Sequence, residues 1–228
     1  MAKAEARRLP RPVRWGVVAA IVIVAGAVST FTPLFAAGDI RVRGTDLSRR
    51  EILAIASVRE GTNVAHLDVA AVERRLERDP RILEATVTTS LPATIGIAIT
   101  EREPVAVAAG SYVGPDGVLI GPAGSTPALP VIYGTDLRTG AAAAAAMSDE
   151  LREAVSAIVV RADGGIGVRL AAGFSADLGD SAELPAKAAS LAALLAWVTE
   201  REIDIASADI TVPGSPTARL EEGGTVAP

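Results

Sequence analysis

The sequence predicts an α+β protein on a single N-terminal transmembrane helix. Two exported domains follow: a small unit of order β-α-α-β-β, then a mixed antiparallel β domain with two helices. Three observations carry this. Trp15 to Ala37 run twenty-three residues without a charge, beside a basic tail. Beyond the run, the apolar period changes from 3.6 to 2 across Pro80. Past Pro104, short apolar runs alternate with Gly and Pro turns, the punctuation of a β domain.

The uncharged run, residues 15–37, is about 34 Å long as a helix at ~1.5 Å per residue, enough to cross a hydrocarbon core of roughly 30 Å. Residues 1–14 hold Lys3, Arg7, Arg8, Arg11 and Arg14 against Glu5 alone. That excess keeps the tail cytoplasmic and places residues 38–228 outside. A cleaved signal peptide is the rival, with Val17 to Val24 as its apolar core and Ala25-Gly26-Ala27 as a small-x-small site. Apolar residues continue ten positions further, which suits a span better. Pro33 falls near its outer end, where a missing hydrogen bond is most easily repaired.

In the first exported domain, residues 38–104, Ile40 and Val42 alternate with polar neighbours as one strand that Gly44 ends. Ser48 and Glu51 have the spacing of a capping box, and Ile52, Ile55 and Ala56 form the stripe of the helix it opens. Asp68 caps a second helix with Val69, Val72 and Leu76 inward and Pro80 as its stop. Leu83, Ala85 and Val87 then give one strand face, and Ile95, Ile97 and Ile99 another beyond a break at Pro92. Two helices covering one face of a three-stranded sheet is the predicted result.

The second domain, residues 105–222, opens with a strand to Ala108, a turn at Gly114-Pro115-Asp116-Gly117, and strands at Val118 to Ile120 and Leu129 to Gly134. The tract Ala141 to Ala146 extends a helix over 148–158, in which Leu151, Val155 and Ile158 recur at helical spacing. Ile158 to Arg161, Ile166 to Leu170 and Phe174 to Leu178 read as antiparallel strands, the first two joined at Gly164-Gly165. Leu184, Ala188, Leu191, Leu195 and Val198 mark a long amphipathic helix; Lys187 and flanking charges exclude a second span. Ala208 to Val212 and Thr217 to Leu220 pair across Pro213-Gly214, and residues 223–228 form a flexible tail.

Outside the N-terminal tail the chain carries 17 basic and 26 acidic residues, a net −9 that argues against nucleic acid and anionic lipid as partners. Cysteine is absent, so packing alone holds the exported domains, without disulfides or thiolate metal sites. His66 is the only histidine, and no Gly-x-Ser-x-Gly elbow supplies a nucleophile. It reads as a loop side chain between two helices. Glu101-Arg102-Glu103 reads as a solvated strand end, because successive strand residues face opposite ways. Gly164-Gly165-Ile166-Gly167 lacks the lysine and third spaced glycine of a phosphate loop. The reading is a non-enzyme with no catalytic residue, metal, cofactor or small-molecule ligand.

The order of Ile40-Arg41-Val42-Arg43-Gly44, Glu51-Ile52, Val58-Arg59-Glu60-Gly61, Leu67-Asp68, Glu84-Ala85-Thr86-Val87, Pro92-Ala93-Thr94-Ile95 and Glu101 to Ala106, just outside a lone anchor, resembles the POTRA domain of the FtsQ/DivIB bacterial cell-division proteins. Lys187 to Leu191, Ile203-Asp204-Ile205 and Ile210 to Pro213 are similar to the end of that family's C-terminal β domain, so the resemblance covers residues 11 to about 221. The family often has a basic residue and a tryptophan before the hairpin proline and an Asp opening the later turn; Thr89, Leu91 and Gly114 stand there.

The resemblance implies a bitopic divisome scaffold in the inner membrane at the septum. Its implied partners are FtsB (DivIC) and FtsL, and through them the FtsW and FtsI septal peptidoglycan synthase. A POTRA-bearing chaperone or secretion component, and an anchored cell-wall enzyme, are the alternatives. Thr217, Ala218, Arg219 and Leu220 are the candidate partner-binding residues: the last strand before the tail, its outer edge predicted free. Strand addition there is how the family is understood to hold FtsB. Thr217 and Arg219 share a face, from which Arg219 can meet an acidic residue.

Overall fold

Residues 36–90, 93–124, 129–220 and 225–226 are described by a computed structural model. The predicted anchor up to residue 35 and the break at Pro92 lie outside the described residues, among which no helix is long and apolar enough to cross a membrane. Ala36 and Ala37, the last two residues of the predicted anchor, are joined to the first unit. Ala36 bridges Asn63, and Ala37 is buried with its N–H on the Thr62 carbonyl at 2.8 Å. The chain divides into two units at Glu101/Arg102, three residues before the predicted boundary.

The first unit runs β1 (Asp39–Arg43), α1 (Arg49–Ala56), a 3-10 turn (Val64–His66), α2 (Val69–Leu76), β2 (Ile82–Ser90) and β3 (Thr94–Glu101). The predicted N-caps form: Ser48 Oγ accepts the Glu51 N–H at 3.3 Å, and Asp68 Oδ1 accepts the Ala71 N–H at 2.9 Å. The glutamate half of the expected capping box is replaced, with the Glu51 carboxylate on Arg81 at 2.8 Å. Gly44 ends β1 at φ +79°, where a Cβ would lie 2.3 Å from the Ile99 carbonyl oxygen, so no other residue fits. The sheet order is β1-β3-β2, with β1 parallel and β2 antiparallel to β3. Ile52, Ala56, Val72 and Leu76 from the helices share one core with Ile40, Ala85, Val87, Ile95, Ile97 and Ile99 from the sheet.

One strand parity departs from expectation. Ile82 pairs with Glu101 and Glu84 with Thr100, so Leu83 is an extra residue at a bulge. The bulge shifts the alternation by one: Ile82 is fully buried and Leu83 is 38% exposed, the reverse of the plain period-2 reading.

The second unit is a ten-stranded sheet of order β13-β12-β11-β10-β9-β8-β7-β4-β5-β6. In chain order it is β4 (Ala106–Ala108), β5 (Ser111–Val113), β6 (Leu119–Pro122), β7 (Val131–Tyr133), α3 (Leu137–Ala145), α4 (Asp149–Ala154), β8 (Val155–Val160), β9 (Ile166–Leu170), β10 (Ser175–Gly179), α5 (Leu184–Arg201), β11 (Ile205–Asp209), β12 (Thr217–Leu220) and β13 (Thr225–Val226). Three pairings are parallel: β4 with β7, β7 with β8, and β10 with β11 across α5. Among its described residues the domain has three helices where two were predicted. Asp136 starts α3, which holds the alanines through Ala145. Ser148 then accepts the Leu151 N–H and starts a separate α4, after which the branched run Val155, Ile158, Val159, Val160 is extended. Val155 and Ile158 therefore belong to a strand.

Register fixes which face is covered. Ile158, Val168, Ala176, Ala208 and Ala218 stand opposite one another across five strands and pack with Leu151, Leu191, Leu194 and Val198. Lys187 is 2% exposed within this layer, and its ammonium donates to the Asp180 carboxylate at 2.7 Å and carbonyl at 2.9 Å. The cation joins the first turn of α5 to the end of β10 and is satisfied there.

Candidate partner-binding edge

β12 forms because Pro213, Gly214 and Pro216 prevent β11 from continuing, and the turn returns the chain antiparallel. Ala218 is 1% exposed on the core face; Thr217 and Arg219 are exposed on the other, and Leu220 is half-buried. The four candidate residues thus form one strand with the predicted parity. They are not the end of the sheet. Ala218 pairs with Val226 and Arg219 with Thr225. The edge expected to be free carries a two-residue strand from the segment expected to be a tail.

The solvent face beside β12 is built by register. Arg169, Ser175, Ser207 and Arg219 stand in one row over four strands, setting the two arginine Cα atoms about 14 Å apart at ~4.8 Å per strand. The next row holds Gly167, Asp177, Asp209 and Thr217. Among the described residues no carboxylate pairs with Arg169 or Arg219, while Asp177 accepts from Arg161 Nη2 at 3.0 Å. Small side chains between the arginines leave a shallow groove of about 320 Å³ lined by Gly167, Ser175, Ser207 and their neighbours. The face offers exposed cations beside a strand, which suits an acidic peptide segment.

The small sheet of the first unit is protected differently. The Val87 N–H donates to Glu73 at 2.8 Å and the Ala85 N–H to Glu77 at 3.4 Å, so α2 carboxylates cover donors on the outer side of β2. On β1 the Ile40 carbonyl accepts from Arg49 Nε at 3.3 Å. At the far end of the large sheet, β6 closes on Pro122, which has no donor to offer. Strand addition to the small sheet would first have to break side-chain hydrogen bonds.

The remaining sequence candidates are structural. His66 is an exposed residue of the 3-10 turn. Of Glu101-Arg102-Glu103, which begins at the last residue of β3, only Glu103 is exposed as a solvated strand end would be. Glu101 accepts from the Thr45 hydroxyl and from the Asp46 N–H at 2.7 Å, which holds its carboxyl below the ordinary range. Arg102 is 9% exposed and forks onto Asp116 at 2.9–3.2 Å. Gly114 permits this, since a Cβ there would lie 2.2 Å from Arg102 Cδ. Burial, the largest single influence, raises the Asp116 pKa, but the bond and charge of Arg102 together with the Val118 N–H outweigh it and leave a net lowering. Among the described residues no three His, Asp or Glu side chains gather as a metal site.

The family model of the FtsQ-type POTRA domain matches residues 35–102, the extent of the first unit's described fold. A protein called Cell division protein FtsQ from Corynebacterium glutamicum is 34% identical over 90 residues, 39% of this chain and 40% of that one. One of the same name from Mycolicibacterium smegmatis is 34% identical over 95 residues, 41% and 28% of the two chains. One from Streptomyces collinus is 32% identical over 157 residues, 59% of each. The alignments span 28–59% of these three relatives. The order β-α-α-β-β, the capped helices and the match over residues 35–102 agree: the first unit is an FtsQ-type POTRA domain, and this chain is similar to the FtsQ cell-division proteins.

Proposed function

We propose that the protein is a membrane-anchored cell-division scaffold that acts by binding, without catalysis. Its tail is cytoplasmic, residues 15–35 cross the membrane, and the two units lie outside at the division septum. The second unit takes an extended segment of FtsB/DivIC as an added strand along Thr217, Ala218, Arg219 and Leu220. FtsL joins the same assembly, and through both partners the protein acts on FtsW and FtsI. The carrying observation is β12: four residues one strand in from the end of a ten-stranded sheet, covered by only the two-residue β13, with Arg219 exposed alongside. Main-chain bonds along such a strand give affinity, and Arg219 and Thr217 select the partner's side chains. Cover over β2 by Glu73 and Glu77 favours this reading over a POTRA chaperone that holds polypeptide on its small sheet.

The test uses the full-length chain in detergent and the extracytoplasmic segment of the FtsB/DivIC-type protein from the same cell. Of the neighbouring amides of Ala218 and Arg219, one points to β11 and one outward. The proline variant at the outward amide should abolish binding in titration calorimetry while unfolding barely moves. Wild-type affinity in both Ala218→Pro and Arg219→Pro would remove β12 as the binding strand.

A further inference from the structure

The partner's place on β12 is already taken by the chain itself. Ala218 and Arg219, the middle pair of the four candidate residues, are paired to Val226 and Thr225. A partner strand in register with residues 217–220 needs those same backbone groups. Both cannot hold them at once. From the observed register we infer that residues 225–226 are an internal competitor: β13 masks the partner-binding edge, and binding proceeds by strand exchange. This rests on the reading of β12 as the partner's strand.

The geometry suits a plug that opens. Among the described residues two pairs hold β13, far below the five or six of an ordinary strand, so little main-chain bonding there opposes its departure. Glu221-Glu222-Gly223-Gly224 joins it to β12, a four-residue connection that keeps it close. A covalent link this short sets an effective concentration on the order of millimolar, so even a weak strand occupies the edge until something better paired replaces it. A partner covering all four residues forms twice as many pairs as β13. The plug thus admits a long, well-matched strand and refuses short ones. It also blunts an edge that would otherwise invite a second copy of the chain.

Occupancy converts directly into affinity. A plug closed nine-tenths of the time leaves about one-tenth of the molecules competent, so removing it tightens the apparent Kd about tenfold. Two variants of the full-length chain test this: truncation after Glu222, and Thr225→Pro with Val226→Pro, which keeps the length. Both should bind the FtsB/DivIC-type segment about 3- to 10-fold more tightly, the range for closure of two-thirds to nine-tenths. Without partner, amide exchange within β12 should speed up in both, with β11 unchanged. Equal or weaker affinity in both variants, or unaltered β12 exchange, overturns the plug; if the β12 proline variants still abolish binding, the strand-addition reading stands. Wild-type binding in Ala218→Pro and Arg219→Pro overturns both.

Discussion

The bulge at Leu83 makes a quantitative prediction that separates the observed register from the plain alternation of the sequence. Ile82 is completely buried, and Ile82→Ala removes three carbons from the core of the first unit. At ~0.8 kcal/mol per buried carbon the transfer loss is about 2.4 kcal/mol, and the cavity raises it to about 3–4 kcal/mol. Leu83 loses the same three carbons on truncation but is already 38% exposed and leaves no enclosed cavity, so Leu83→Ala should cost about 1 kcal/mol. The two units have separate cores and need not unfold together, so the assay should report on the first alone. Amide exchange at Ile95, Ile97 and Ile99, the central strand of the small sheet, does this. A gap below 1 kcal/mol, or a larger cost at Leu83, would show that β2 has no bulge and that Ile82 faces solvent.

Three further outcomes are expected. Val87→Asp buries an unpaired carboxylate at a site 5% exposed and should cost several kcal/mol, whereas Thr88→Asp on the exposed face should be within about 0.5 kcal/mol of wild type; equal amide protection in the two would contradict the register. Glu101 has a folded pKa below its unfolded value of about 4.3, so its stabilisation is present above that pH and is lost as pH falls through the lower folded value. Glu101→Gln should therefore be less stable than wild type at pH 7 and converge with it in acid, as read from urea midpoints between pH 7 and 2. A reporter active only outside the membrane, fused after Pro228, should be active; silence from a full-length, inserted protein would reverse the proposed topology.

What the sequence disclosed was mostly local. Ser48 and Asp68 bond to amides three residues on, so both helix starts of the first unit were legible, as was the Gly164-Gly165 turn closed by the Arg161 N–H on the Gly165 carbonyl at 2.8 Å. Errors came where two periods coincide. Leu151, Val155 and Ile158 fit a helical stripe, yet Ser148 restarts the helix and β-branching then favours a strand, so local spacing could not decide. The parallel pairs of β7 with β8 and β10 with β11 are joined through helices, and no short-range signal announces them. Glu101 and Arg102 were read as solvated because their partners Thr45 and Asp116 lie 56 and 14 residues away.

The edge was missed for a related reason, and the reason bears on how it works. Thr217 to Leu220 show strand alternation with a buried Ala218, which period 2 reveals; Thr225 and Val226 follow two glycines and are too few to show any period. A segment with so little pattern owes its place to an open edge beside it. The feature that hid β13 from the sequence, its brevity, is the one that leaves it replaceable by a longer strand. A strand with its own claim to a register carries alternating apolar residues, as the interior strand β9 does with Ile166, Val168 and Leu170. Thr225 and Val226 can supply at most one step of such alternation, so their register on Ala218 and Arg219 rests on the short tether and on main-chain bonds that any peptide of sufficient length can match.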